Sequence, residues 1–198
     1  MKNRKARGMI YLFVGCLLLL CAGGWSVSNF LEDQNAGKEA SAILEQLDIA
    51  QKEMIQQEET STEEESSAQM VVVDGEAFCG RVMIDALGIE LPVYDVWDYS
   101  RLKKAPCRYM GSVATNDIII AAHNYKTHFG LLHQLEKGDE IRFIDIIGKS
   151  HLYEVCEIVV LDGTAVTDMQ AGNWDFTLFT CTKGGKQRVT IRCERILE

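Results

Sequence analysis

The sequence predicts a mainly β domain, a closed barrel or a sandwich, carried behind a membrane-spanning helix and a stalk. Three observations lead there. Residues 8–30 carry no charge and follow a basic end. Short β-prone runs separated by turn signals fill the chain from residue 71 onward. Helical spacing outside the apolar run is confined to one weakly apolar stretch between these two regions. At 198 residues the chain is long enough for one domain plus an appendage.

The elements follow in order. Lys2, Arg4, Lys5 and Arg7 precede the apolar run, which contains Leu17 to Leu20. That run is long enough to cross a hydrocarbon core of ~30 Å. The basic residues hold the amino end in the cytoplasm and place the remainder outside, as a single-pass protein of the cell membrane. A cleaved signal peptide is the competing reading, but the run exceeds the usual h-region of about 7–15 residues and no clear Ala-x-Ala site follows. Cys21 is preceded by Leu20 where a lipoprotein needs a small residue. Over residues 36–57, Ala40, Ile43, Leu47, Ala50 and Met54 recur with helical spacing, as a stalk or a loose coiled-coil seam. Residues 58–69 are acidic, rich in Ser and Thr, and lack large apolar side chains, which predicts a disordered tether giving reach from the membrane. The chain therefore divides into 1–30, basic end and anchor; 31–70, stalk and tether; and 71–198, the folded domain.

Within the domain, strands are expected over 78–84, 89–94, 113–115, 118–122, 140–146, 151–161, 177–181 and 188–194. Turn signals at Asp85-Ala86-Leu87-Gly88, Asn116-Asp117, Ile147-Gly148-Lys149 and Lys183-Gly184-Gly185 separate several of them. Short helices are expected over 98–104 and 129–135. Eight short strands suit a barrel, which removes exposed edges, and a sandwich fits the same spacing.

Composition excludes one class of partner. The net charge is −9, and the basic end lies on the other side of the membrane, so the outer part is more acidic still. A nucleic-acid footprint is missing. Of seven cysteines, Cys16 and Cys21 lie in the apolar run; Cys79, Cys107, Cys156, Cys181 and Cys193 lie outside, an odd number that leaves at least one thiol without an internal partner. Cys79, Cys156 and Cys193 sit in apolar β-like stretches and are read as small hydrophobes.

Cys181 has a different setting: it ends Thr177-Leu178-Phe179-Thr180-Cys181, flanked by threonines. Arg188 opens the next β-prone run, and a hairpin through residues 182–187 brings it close to Cys181. A neighbouring cation favours the thiolate, the nucleophilic form, and an Arg can hold an oxyanion. Each residue also has a plain structural alternative: a buried thiol, or a surface Arg like Arg192 and Arg195. Of His123, His128, His133 and His151, His123 ends the apolar run 118–122, and a strand end presents a side chain while the sheet fixes its backbone. A Cys–His pair is an activated-nucleophile arrangement. No pair of histidines has a convincing metal-ligand spacing, so no metal is expected.

These residues resemble the sortases, surface transpeptidases of Gram-positive bacteria. Thr177-Leu178-Phe179-Thr180-Cys181 is similar to their Thr-Leu-x-Thr-Cys signature, and Arg188 before Val189-Thr190-Ile191 to the Arg that starts their last strand. Ile119-Ile120-Ala121-Ala122-His123-Asn124 resembles the strand ending in their catalytic His, with Ala122 where a Gly is common. Gly138-Asp139-Glu140, and Leu91-Pro92-Val93-Tyr94 followed by Trp97 and Leu102, also look like the family. The resemblance covers residues 78–194 and implies a closed eight-stranded sortase-type β-barrel. It implies a cysteine transpeptidase that cuts a C-terminal sorting motif of secreted proteins and passes the acyl group to an amine of a cell-wall precursor or a pilin. Carried over by position, Cys181 is the nucleophile, His123 the acid–base residue and Arg188 the oxyanion and substrate ligand. Thr180, Ala122 and Asn124, beside them, are expected substrate contacts. No cofactor is required; calcium, found in some members, has only Asp95 and Asp98 as candidates. The stretch 162–176 is short, no second apolar anchor ends the chain, and no Asp-Pro-aromatic lid precedes the barrel, which points to a class D-like or unassigned compact sortase.

Two alternatives compete, and two other cysteine-enzyme families are excluded. The same thioacyl intermediate could be released by water, making the protein a cysteine hydrolase. An inactive, anchored surface-binding module would not need all three residues. L,D-transpeptidases place a His-Gly cluster just ahead of their Cys, and papain-like proteases place Cys before His; neither order occurs here.

Overall fold

The computed structural model describes residues 2–58 and 70–197. The expected tether lies, from residue 59 on, outside the described residues. Two compact units are present, Met1–Asn35 and Ala36–Glu198. The first is helical, the leading part of α1 (Lys2–Glu58). It is the one helix among the described residues long and apolar enough to cross a membrane. The uncharged residues 8–30 extend about 34 Å at about 1.5 Å per residue, which matches a hydrocarbon core. Leu17 to Leu20, Trp25 and Phe30 have no protein cover.

The second unit is a β-barrel with the rest of α1 laid on it. Its strands are β1 (Val71–Val73), β2 (Glu76–Ile84), β3 (Ile89–Tyr94), β4 (Cys107–Met110), β5 (Ile118–Ala122), β6 (Glu140–Asp145), β7 (Ser150–Asp162), β8 (Phe176–Cys181) and β9 (Gln187–Arg195). The order is β1-β2-β3-β4-β5-β8-β9-β7-β6, and β6 pairs back onto β2. Eight strands thus close the barrel, with β1 as a flap on β2. Pairs β3–β4 and β5–β8 are parallel; the others are antiparallel. Closure needs a close backbone approach: a Cβ on Gly80 would run into the carbonyl of Ile144 and the ring of Phe143, and Gly80 sits at φ 151 beside a register shift in β2.

Alternation fills the barrel. Val82, Ile84, Leu91, Val93, Ile118, Ile120, Phe143, Phe176, Leu178, Ile191 and Cys193 point inward and form one core. Tyr153 stacks on Phe176 with ring centroids 4.4 Å apart. Two expectations are corrected. Residues 113–115 are not a strand; they lie in a turn built by Ser112, Thr115 and Asp117 side chains. The missing strand is β4, only four residues long and carrying Arg108, too short and too polar to stand out as a β run. The helices shrink to α2 (Tyr99–Leu102) and a 3-10 turn at Leu132–Gln134, and an unexpected α3 (Val166–Gln170) lies between β7 and β8.

The helical stripe of residues 36–54 also has a definite partner. Ala40 joins the main core, while Leu47, fully buried, packs with Val71, Phe78, Tyr94 and Cys107, joined by Ile43, Ala50 and Met54. A polar clamp reinforces the contact. Arg81 of β2 is buried and bonds Asp48 and Gln51 of α1 and Glu90 of β3. Gln51 Nε2 donates to the carbonyls of Asp145 and Ile146, each at 3.1 Å. The charge of Arg81 is thus offset where it leaves water, as a buried cation requires.

Candidate active site

Strand order brings three distant segments together. In β8, Phe176 and Leu178 face the barrel interior, so Phe179 and Cys181 face outward. In the antiparallel β8–β9 pair, Cys181 lies directly opposite Arg188. Such partners share a face of the sheet, with Cβ atoms about 4.5–5.5 Å apart. On the other side of β8, parallel β5 pairs Ala122 with Thr180. The next residue along, His123, therefore runs beside Cys181.

All three side chains line one cleft of about 400 Å³ on the outer face of the sheet. Ala121 and Phe179 form its floor, Trp97, Tyr99 and Tyr109 one side, and Val166 and Met169 of α3 the other. Cys181, His123 and Arg188 are each half-buried, a setting that admits a substrate while limiting water.

Each residue is held by identifiable contacts. His123 lies between two tyrosines, edge-on to Tyr99 at 5.8 Å and tilted on Tyr125 at 5.0 Å between centroids. Its carbonyl accepts from the N–H of Phe129, a fully buried core residue. The loop closes tightly over Gly130, where a Cβ would meet the carbonyls of Asn124 and Tyr125. Helix α1 presses on the same loop: a Cβ on Gly37 would come within 3.0 Å of Thr127. Arg188 Nη1 donates to the carbonyls of Gly185 at 2.8 Å and Gln187 at 3.1 Å. These turn carbonyls fix the guanidinium and leave Nε and Nη2 for another acceptor. Asp162 also lines the cleft, and its carboxylate is held below its ordinary range by the hydroxyl and N–H of Thr164, with Arg188 contributing.

The neighbouring site candidates divide. Ala122 lines the cleft; Thr180 and Asn124 do not. Thr180 is buried, and its hydroxyl donates to the Ala122 carbonyl at 2.9 Å, tying β8 to β5 one residue before Cys181 and His123. Asn124 is exposed. The other histidines lie elsewhere. His128 is fully buried, His133 Nδ1 meets the Gly130 carbonyl, and His151 is bonded to Asp145. Asp95 pairs with Arg108 at 2.6 Å, and Asp98 caps α2 through the N–H groups of Ser100 and Arg101. Among the described residues, no three His, Cys, Asp or Glu side chains gather as a metal site. Tyr99, Tyr125 and the α3 residues were not anticipated as site residues; only Tyr125, two residues past His123, lay close enough in sequence to be found.

Comparison with known proteins agrees with this geometry. The family described as Sortase domain matches residues 82–196, more than half of the chain. The chain belongs to the sortase family. Similar solved structures include sortase C1 from Streptococcus suis, 26% identical with a TM-score of 0.53, covering 61% of this chain and 74% of that one. Sortase C-1 from Actinomyces oris is also 26% identical, with a TM-score of 0.54 over 60% of this chain and 74% of that one. Streptococcus pneumoniae sortase C shares the fold at 22% identity and a TM-score of 0.58, over 70% and 77% of the two chains. No match is found among curated protein sequences. Membership of the family accounts for the closed eight-stranded barrel of this sortase, and these three similar structures are sortase C structures.

Proposed function

We propose that this sortase is a cysteine transpeptidase held in the cell membrane by α1, with its barrel outside the cell. One observation carries the reading: Cys181 lies opposite Arg188 in register while His123 follows the adjacent parallel strand, all lining one cleft. The orientation rests on Lys2, Arg4, Lys5 and Arg7 ahead of the apolar run.

Cys181 Sγ, as thiolate, attacks a backbone carbonyl of a sorting motif near the carboxyl end of a secreted protein. The C=O electrons move to oxygen, and the N–H groups of Arg188 donate to that oxyanion. Collapse breaks the C–N bond, and His123 gives its proton to the departing amine. The acyl group remains as a thioester on Cys181. An amine of a cell-wall precursor or of a pilin then loses a proton to His123 as it attacks, and the thiolate leaves. Ala122 serves as cleft wall, while Thr180 supports rather than touches the substrate and Asn124 stays exposed outside the cleft. The thioester keeps the acyl group activated, so no cofactor enters. The compact, class D-like reading rests on the short 162–176 stretch, whose one helix, α3, helps wall the cleft.

The test is a library of sorting-motif peptides with varied amines, read by mass spectrometry. The expected products are a thioacyl adduct on Cys181 and an amide joined to the added amine; Cys181→Ala gives neither. Release of only the free acid with every amine would make the protein a hydrolase. An active Cys181→Ala variant would end the proposal.

A further inference from the structure

A second cavity, of about 330 Å³, opens at the end of the barrel away from the Cys181 cleft. It lies by Ile118, at the start of β5, whereas His123 follows its end. Its charged lining consists of Arg108, Asp145, Lys149, His151 and Arg195. Three fixed cations thus face one carboxylate, in a chain whose net charge is −9.

The bonding around Arg195 sets this cavity apart. A guanidinium only donates, so the contact of Arg195 Nη2 with His151 Nδ1 makes that nitrogen an acceptor. The proton of this imidazole is then on Nε2, which donates to Asp145 Oδ2 at 2.8 Å. The other oxygen of Asp145 is taken by the N–H groups of Ile147 and Lys149. Arg195 Nη1 donates to the amide oxygen of Asn116 at 2.9 Å, and Asp175 meets only the backbone N–H of Arg195. The guanidinium is therefore half-buried, held firmly, and bonded through its side chain to neutral groups alone. Among the described residues Lys149 has no carboxylate partner either, whereas Arg108 is ion-paired with Asp95. With Asp145 reached only through His151, a half-buried guanidinium whose direct side-chain partners are neutral keeps charge to offer an anion. The remaining wall is apolar, with Val113, Ile118, Phe143 and Ile146.

We propose that this cavity binds a small organic carboxylate with an aliphatic body, its head on Arg195 and Lys149 and its body against Ile118, Phe143 and Ile146. A planar guanidinium suits a carboxylate, and the volume lies at the small end of ligand pockets, about 300–1,000 Å³. The carboxylate comes from a free short-chain acid or from the carboxyl end of an apolar peptide. The site is independent of the transpeptidase reading, since no residue in it lines the Cys181 cleft.

The full-length chain in nonionic detergent is titrated calorimetrically with hexanoate, with hexanol, and with N-acetyl-leucyl-leucine and its amide. Saturable one-to-one binding of the carboxylates is expected, with hexanol and the amide much weaker. Arg195→Gln is expected to weaken binding by about tenfold or more, the scale of a charge-assisted hydrogen bond. Lys149→Gln changes an exposed residue and keeps the test open if the Arg195 variant does not fold; it is expected to weaken binding severalfold. Cys181→Ala should bind as the wild type does. Tighter binding of the dipeptide assigns the site to a peptide terminus, and tighter binding of hexanoate to a free acid; both support the proposal. Equal binding of hexanol and hexanoate, no saturable binding of any carboxylate, or unchanged affinity in Lys149→Gln would overturn it.

Discussion

Replacing Thr180 by Val tests whether the link between β8 and β5 sets the geometry of the cleft. The side chain keeps its shape but loses the hydroxyl that donates to the Ala122 carbonyl at 2.9 Å. Both residues are at most 4% exposed, so water does not replace the lost donor. A net hydrogen bond contributes about 0.5–1.5 kcal/mol, and a buried acceptor left unmet costs about 1–3 kcal/mol. The added methyl returns up to ~0.8 kcal/mol. A net loss of about 1–2 kcal/mol is expected in urea unfolding. A domain stable by roughly 5–15 kcal/mol stays more than ~99% folded after such a loss, so unfolding does not explain a fall in rate. Yet Ala122 and Thr180 directly precede His123 and Cys181, and a misplacement of about 1 Å can cost about 10²-fold. The acylation rate with a sorting-motif peptide should therefore fall about 10- to 100-fold, with Thr180→Ser close to wild type because it restores the hydroxyl. A Val variant with the wild-type rate would refute the positioning role, as would a Ser variant as impaired as Val.

Other expectations concern the cleft, the helix and pH. Arg188→Lys keeps the charge but loses the planar fork, so acylation should slow by about 10²–10³, while His123→Ala should harm both half-reactions and His133→Ala neither; single-turnover kinetics with and without added amine separates these outcomes. Leu47→Ala should destabilise the domain by about 2–5 kcal/mol in chemical unfolding, because the side chain is fully buried on the barrel; Ile49→Ala, more than half exposed on the same helix, should change little, and equal effects would mean that α1 does not pack there. Burial pushes the thiols of Cys79 and Cys107 from 9.0 up to about 12 and about 11. The native state thus keeps protons that the unfolded chain loses near 9, so stability is complete below about pH 9 and falls as pH rises toward 11–12, by up to about 1.4 kcal/mol per thiol per pH unit. Urea midpoints that stay level from pH 8 to 10.5 would contradict this.

Much of the site was legible because it is local. Apolar alternation marks β5 and β8, the turn Lys183-Gly184-Gly185 closes the hairpin, and the seven-residue interval from Cys181 to Arg188 fits the register in which they face each other. Its place at the end of a strand, and then the motif resemblance, singled out His123. The role of Thr180 was less legible: sequence places it beside Cys181 but does not say whether its hydroxyl turns to a substrate or to the neighbouring strand.

Chain-local properties therefore determined the membrane-length helix and most strands, and marked Cys181, His123 and Arg188 as the site candidates that the fold brings to one cleft. Length, alternation and turn chemistry act over a few residues and can be read without neighbours. Tertiary structure alone decided the rest. The parallel β5–β8 pairing sets Ala122 against Thr180 across 58 positions of chain. Barrel closure through β2 and β6 depends on Gly80 meeting a strand more than sixty residues away. The stripe on α1 reads in sequence as a stalk or a loose coiled-coil seam, and the pocket around Leu47 with the Arg81 clamp makes it instead a packing face on the barrel. Arg195, at first sight one more surface Arg, lines a distal cavity with His151 and Asp145. In each case the deciding energy comes from contacts between residues far apart in sequence, which no local pattern encodes.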